Sequence, residues 1–142
     1  MTPDLRTLTE QAIALPGWKW LPGMLDDVHK MRVTKVHAEI GAVELLNSDT
    51  SGGRVTLFRS REDIRRLEMR PDITDPATGG VLLWMMEQAE SGFELARTPG
   101  EAHKDDPWCA LASPDAAEWV TGYGATFGEA IARLAVKRGG WA

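Results

Sequence analysis

The chain has 142 residues, a net charge of −5 and a pI near 5.2, with 43% hydrophobic and 26% charged residues. That acidic balance argues against broad, non-specific nucleic-acid binding while leaving a local basic patch compatible with it. A single cysteine, Cys109, excludes an internal disulfide and a thiolate-only zinc site.

A chain of this length fits one domain, residues 1–142, with a core that needs neither disulfide nor metal. The opening residues carry neither a basic n-region nor an apolar h-region, so the expected compartment is the cytosol. Residues 4–15 place Leu5, Leu8, Ala12, Ile13 and Leu15 at helical spacing, and Pro16-Gly17 ends the pattern. The stretch 17–24, GWKWLPGM, reads as a loop or short strand. As a strand it would put Trp18 and Trp20 on one face, either packed over a sheet end or exposed as an aromatic recognition patch.

Asp26-Asp27 marks a turn. From residue 30 to 47 the period moves toward two, with Met31 and Val33 in one parity and Val36, Ala38 and Ile40 in the other. A bulged strand, or two short strands broken near Gly41, accounts for the switch. After the turn-rich 47–53 loop, 54–58 supplies a further strand, making 31–58 an antiparallel meander. Ser60 as cap and Asp63 at the third helical position predict a short helix over 60–69, with Ile64 and Leu67 inward.

Asp75 as N-cap and Pro76 as first helical residue open a helix near 76–90, stopped by Ser91-Gly92. Its run Val81-Leu82-Leu83-Trp84-Met85-Met86 covers most of the helix circumference, which predicts burial on nearly all sides. The run is far shorter than the ~20 residues that span a bilayer, and no membrane association is expected. Residues 93–97 form a candidate strand and 98–107 a polar loop. Residues 108–112 and 118–123 then flank Ser113-Pro114-Asp115 as a hairpin. Thr126 and Glu129 form a capping box for a last helix, whose stripe Phe127, Ala130, Ile131, Leu134 and Ala135 faces inward until Gly139-Gly140. Strands in neighbouring groups favour α+β, with one antiparallel sheet of about five strands packed with three to four helices.

Three stretches resemble a family of small uncharacterised proteins of tailed bacteriophages and prophages: PDITDPATGGVLL, GWKWLPGM and ATFGEAIARLA. In that family a D-P-A-T-x-G segment opens the central helix and a T-x-x-E-A helix ends the chain. The extra Gly79 beside Gly80 is unusual for a helix, where each glycine costs about 1 kcal/mol against alanine. The resemblance implies a phage or prophage setting in a bacterial host, and no catalytic residue.

Chemistry-bearing patterns are sparse. His103, Asp105, Asp106 and Cys109 match no established metal spacing, and Cys109 sits in an apolar strand where a small core residue is expected. His29 and His37 match no metal-binding spacing, and Asp26-Asp27 with Glu39 make an acid/base pair only if the fold joins them. Nucleotide-loop, zinc-protease and hydrolase-elbow motifs are absent, and Ser51-Gly52-Gly53-Arg54 is too short for a phosphate loop. The expected cofactor and metal content is therefore none.

Arginine is the exception. Arg54, Arg59, Arg61, Arg65, Arg66 and Arg70 fall within seventeen residues, against Glu62, Asp63 and Glu68. On a helix Arg61 and Arg65 share a face and Glu62–Arg66 forms an i,i+4 pair. Such a face is either solvated and laced with ion pairs or a guanidinium patch for acidic protein side chains or phosphate. The sequence thus predicts a non-enzymatic accessory protein binding a macromolecule, a protein first, with an inhibitor of a bacterial defence system as one concrete form. The contact residues would be Arg61, Arg65, Arg66, Arg70, Trp18 and Trp20. A nucleic-acid-binding module using the 54–70 patch is the alternative, and a small enzyme the third reading.

Overall fold

The computed structural model describes residues 2–47, 55–98, 100, 104–113 and 119–142. It is α+β, and its strands form two separate three-stranded antiparallel sheets, not one sheet of about five strands. Alternation along the chain reveals strands and their neighbours, but not whether two meanders share a ladder. The chain divides into two compact units, one of Met1–Trp18 with Ile73–Ala142 and one of Lys19–Asp72.

In the Lys19–Asp72 unit, β1 (Met31–His37), β2 (Ala42–Asn47) and β3 (Thr56–Arg59) form a meander in that order. The register slips between Val33 and Lys35, so Thr34 is an extra residue. Val33 and Val36 thereby both join the face of Leu45 and Val43, which is the physical content of the parity switch. Ala38 and Ile40 do not continue the strand; they lie in the β1–β2 turn, where Ile40 is 60% exposed. The short helix α2 (Arg61–Arg66) has the predicted reciprocal cap: Ser60 Oγ accepts from Asp63 N, and Asp63 accepts from Ser60 N. It ends earlier than predicted, with Glu68 at φ +51° turning the chain.

The outer edge of β1 is closed. Val33 N donates to Met24 O, Gly23 N to Val33 O and Asp26 N to Met31 O, and residues 70–72 pair in turn with 25–27. The chain therefore leaves β3 at one side of the sheet and returns at the other, while α2 packs on β2 and β3.

In the second unit, α1 (Pro3–Ile13) precedes α3 (Pro76–Ala89), a meander of β4 (Glu94–Arg97), β5 (Trp108–Ala112) and β6 (Val120–Gly124), and α4 (Phe127–Arg138). The β5–β6 pairing matches the predicted hairpin, whose tip at 114–118 lies outside the described residues. Asp75 caps α3 by accepting from Thr78 N at 2.9 Å. The expected all-round burial of α3 is wrong: Leu82, Met85 and Met86 are buried, but Gly80 is exposed and Trp84 is 50% exposed. The organising helix is α4, which packs on β5, β6, α3 and α1 and buries Ala130, Ile131, Leu134 and Ala135 completely.

Close approach makes that possible. A Cβ at Gly122 of β6 would collide with Ala130 O and Leu134 N, so the α4 backbone lies directly on the strand. A Cβ at Gly79 of α3 would stand 2.6 Å from Phe127 Cε2, which accounts for that glycine; nothing in the structure explains Gly80. Trp141 anchors α1 to the segment after α4, donating from Nε1 to Ala12 O and from its backbone to Pro16 O.

Candidate functional site

The arginine stretch straddles the end of β3 and α2. Arg61 and Arg65 both lie on α2 and are exposed. Arg66 is held at 3.2 Å by Asp63, whose carboxylate also accepts from Ser60 N in the cap, and not by Glu62. That contact and those with Ser60 hold the Asp63 carboxyl below its ordinary pKa. Arg70 is half-buried with its Nε shielded from water, and its carbonyl accepts from Asp27 N, so it belongs to the framework of the unit. Arg54 lies outside the described residues.

The remaining arginines divide sharply. Arg6 pairs with Glu10, Arg32 donates to Gly23 O, Arg97 lies over the Trp108 ring, Arg133 meets Glu129 and Tyr123 O, and Arg138 meets Glu90. Among the described residues, the side chains of Arg59, Arg61 and Arg65 make no hydrogen bond, ion pair or ring contact. Arg61 instead lays its guanidinium against Gly41, where an added Cβ would stand 2.5 Å from Nε.

Two exposed apolar side chains, Phe58 and Ile40, lie at the same end of the sheet. Phe58, 52% exposed, points from the outer face of β3, with its ring 5.9 Å from that of His37 on β1. His37 Nε2 lies 2.7 Å from Glu44 Oε2 on the same face, beside Lys35. Ile40 lies in the β1–β2 turn next to Gly41, the residue that Arg61 covers, and its N–H donates to His37 O. Phe58, His37, Ile40 and Arg61 thus lie at one end of the sheet. Sequence reasoning found the arginines and missed Phe58 and Ile40, because alternation alone had assigned both to strands without saying which face was wet.

The two tryptophans do not form a shared patch. Residues 17–24 form a loop, the first of the two expected forms, and not a strand; Trp18 packs its ring 5.7 Å from Trp141, and Trp20 is buried. Trp84 on α3 and Trp119 just before β6 are the exposed indoles, and single exposed apolar residues are ordinary for a protein surface.

The chemical alternatives have less to stand on. His103 lies outside the described residues, Asp105 and Asp106 are exposed, and Cys109 is buried in β5. No group of three His, Cys, Asp or Glu among the described residues is placed to hold a metal ion. Glu39 stays in the exposed turn, away from any pairing with Asp26-Asp27. Asp26, almost wholly buried, accepts from Val28 N, His29 N and the His29 ring at 2.9–3.1 Å, so it folds its own turn. The neighbouring contact of Lys30 with Asp27 raises the lysine pKa. Neither His29 nor His37 is hydrogen-bonded to a hydroxyl or thiol that it would activate. A 230 Å³ pocket at the N-termini of α3 and α4, walled by Trp108 and Phe127, is smaller than the ~300 Å³ at which small-molecule sites begin. Its carboxylate, Asp75, is committed to Thr78. A 310 Å³ groove between α1 and α4 reaches that size, but its Arg133 and Lys137 are bonded to carbonyls of β6. No family model, curated protein or solved structure matches the chain.

Proposed function

We propose that this chain is a non-enzymatic accessory protein of a phage or prophage that binds a host or phage protein through the Phe58–Ile40–Arg61–Arg65 surface. The observation that carries the reading is the concentration of unengaged arginines in 59–65 beside exposed apolar side chains. Protein interfaces are enriched in aromatic residues and arginine, and a few such anchors supply most of the binding energy. Inhibition of a bacterial defence system in the host cytosol is one form such an activity takes. Among the described residues no helix is long and apolar enough to cross a membrane, in keeping with a partner met in solution.

The test is affinity capture from bacterial host lysate with the native chain and with Arg61→Glu/Arg65→Glu. Capture should fall sharply in the double variant while its melting temperature holds, since surface substitutions usually shift stability within about 0.5 kcal/mol each. Undiminished capture by the folded double variant contradicts the assignment. Retention of duplex DNA that collapses steeply with salt would point instead to nucleic acid, because phosphate contacts release counterions.

A further inference from the structure

We propose that the open edge of β3 is a strand-addition site for an extended, acidic segment of the partner protein, an inference that rests on the protein-binding reading above. The β2–β3 ladder fixes which groups are available. Asn47 N donates to Val55 O, and those residues lie directly opposite in the continuing register, so 47/55 is a hydrogen-bonded pair. Hydrogen-bonded and non-hydrogen-bonded pairs alternate in an antiparallel ladder. Leu45/Leu57 and Val43/Arg59 are therefore bonded pairs, and the N–H and C=O of Thr56 and Phe58 point away from β2. No backbone partner meets them among the described residues.

Two of the other edges are covered. Residues 23–26 cover β1, and 70–72 cover those in turn. In the other sheet, Lys137 Nζ and Arg133 Nη1 donate to Thr121 O and Tyr123 O on the outer side of β6. Basic side chains laid on outward carbonyls block edge pairing. Beside β3, by contrast, Arg59, Arg61 and Arg65 are not folded back onto the strand. β4, also terminal in its sheet, has its arginine, Arg97, lying over Trp108.

Charge names the occupant. A strand added to β3 would place alternate side chains beside Phe58 on one face and beside Arg59 on the other, with Arg61 and Arg65 just past the strand end. Carboxylates pair with guanidinium forks, and apolar side chains cover Phe58. Lysine-rich segments would be repelled.

The probe is an end-capped octapeptide alternating valine and glutamate, with a valine–lysine octapeptide as comparison. Amide exchange by NMR should slow at Thr56 and Phe58 by at least about tenfold at saturation, and not at Leu57 or Arg59, whose amides already face β2. Thr56→Pro removes one outward N–H, a position where an edge strand accommodates proline, and should abolish binding with the fold intact. An octapeptide N-methylated at alternate residues should fail against the native chain, which tests the same bond without altering the protein. Absence of slowed exchange at Thr56 and Phe58, equal binding of the lysine peptide, or binding by the N-methylated peptide overturns the proposal. So does a dimer of the chain that itself protects Phe58. Partner capture kept by Thr56→Pro but lost by Arg61→Glu/Arg65→Glu overturns strand addition while the protein-binding surface stands; capture kept by both overturns that surface as well.

Discussion

Gly79 and Gly80 are adjacent on α3, yet alanine should act in opposite directions at the two positions. Each replacement removes a helical glycine, a gain of up to about 1 kcal/mol. At Gly80 a methyl meets nothing within 4 Å, so the gain is kept. At Gly79 the methyl would lie 2.6 Å from Phe127 Cε2 and 3.0 Å from Cζ, well inside contact distance. The ring has limited freedom to withdraw, because it belongs to the first residue of α4 and sits edge-on to Trp108 at 5.6 Å. Overpacking of this kind costs roughly 1–3 kcal/mol, which exceeds the propensity gain over most of that range. Gly79→Ala is expected to be destabilised, and the two variants to differ by about 1–3 kcal/mol. For a chain of this size that separates their melting temperatures by roughly 2–12 °C. Urea titration of both variants beside the parent, at constant m-value, measures the difference directly. A Gly79→Ala protein as stable as Gly80→Ala would refute the close packing of α3 on Phe127.

Other consequences follow from the same contacts. Trp141→Ala should cost about 3–5 kcal/mol, as a buried indole is deleted together with its bond to Ala12 O; a loss under about 1 kcal/mol would contradict its anchoring role. Cys109 should react with a thiol reagent only as fast as β5 opens, and rapid labelling of the native chain would show that it is not buried. Asp63 accepts bonds from Arg66 and Ser60 that hold its folded pKa below 3.8, so the α2 cap contributes fully above that unfolded value and is lost as pH falls through the lower folded one. The side-chain carboxyl shift should inflect below 3.8, and an inflection at or above it would deny the cap.

Local signals were legible in the sequence and long-range ones were not. The caps at Ser60, Asp75 and Thr126 each act within one turn, and all three side chains accept from the residue three places on. The arm of Glu129 differs in detail, taking Ala125 N and not the N-cap amide. The apolar run 81–86 suggested a helix buried all round, yet Trp84 faces water, and the helix that lies directly on the sheet is α4, rich in alanine and set against Gly122 and Gly124. The partition into two sheets has no local signature. In the candidate site the arginines stood out by count, but which were committed depended on Asp63 and the pairing of Arg70's carbonyl with Asp27, contacts made by folding. Phe58 and Ile40 carried no sign of exposure, since an apolar residue at a strand end reads the same on either face.

The claim that a partner protein meets the Lys19–Asp72 unit on β3 and α2 is tested most directly by hydrogen–deuterium exchange of the native chain, alone and bound to the protein it captures. Slowed exchange is expected to concentrate in residues 55–66. Protection confined to Ile73–Ala142, with residues 55–66 unchanged, would contradict it.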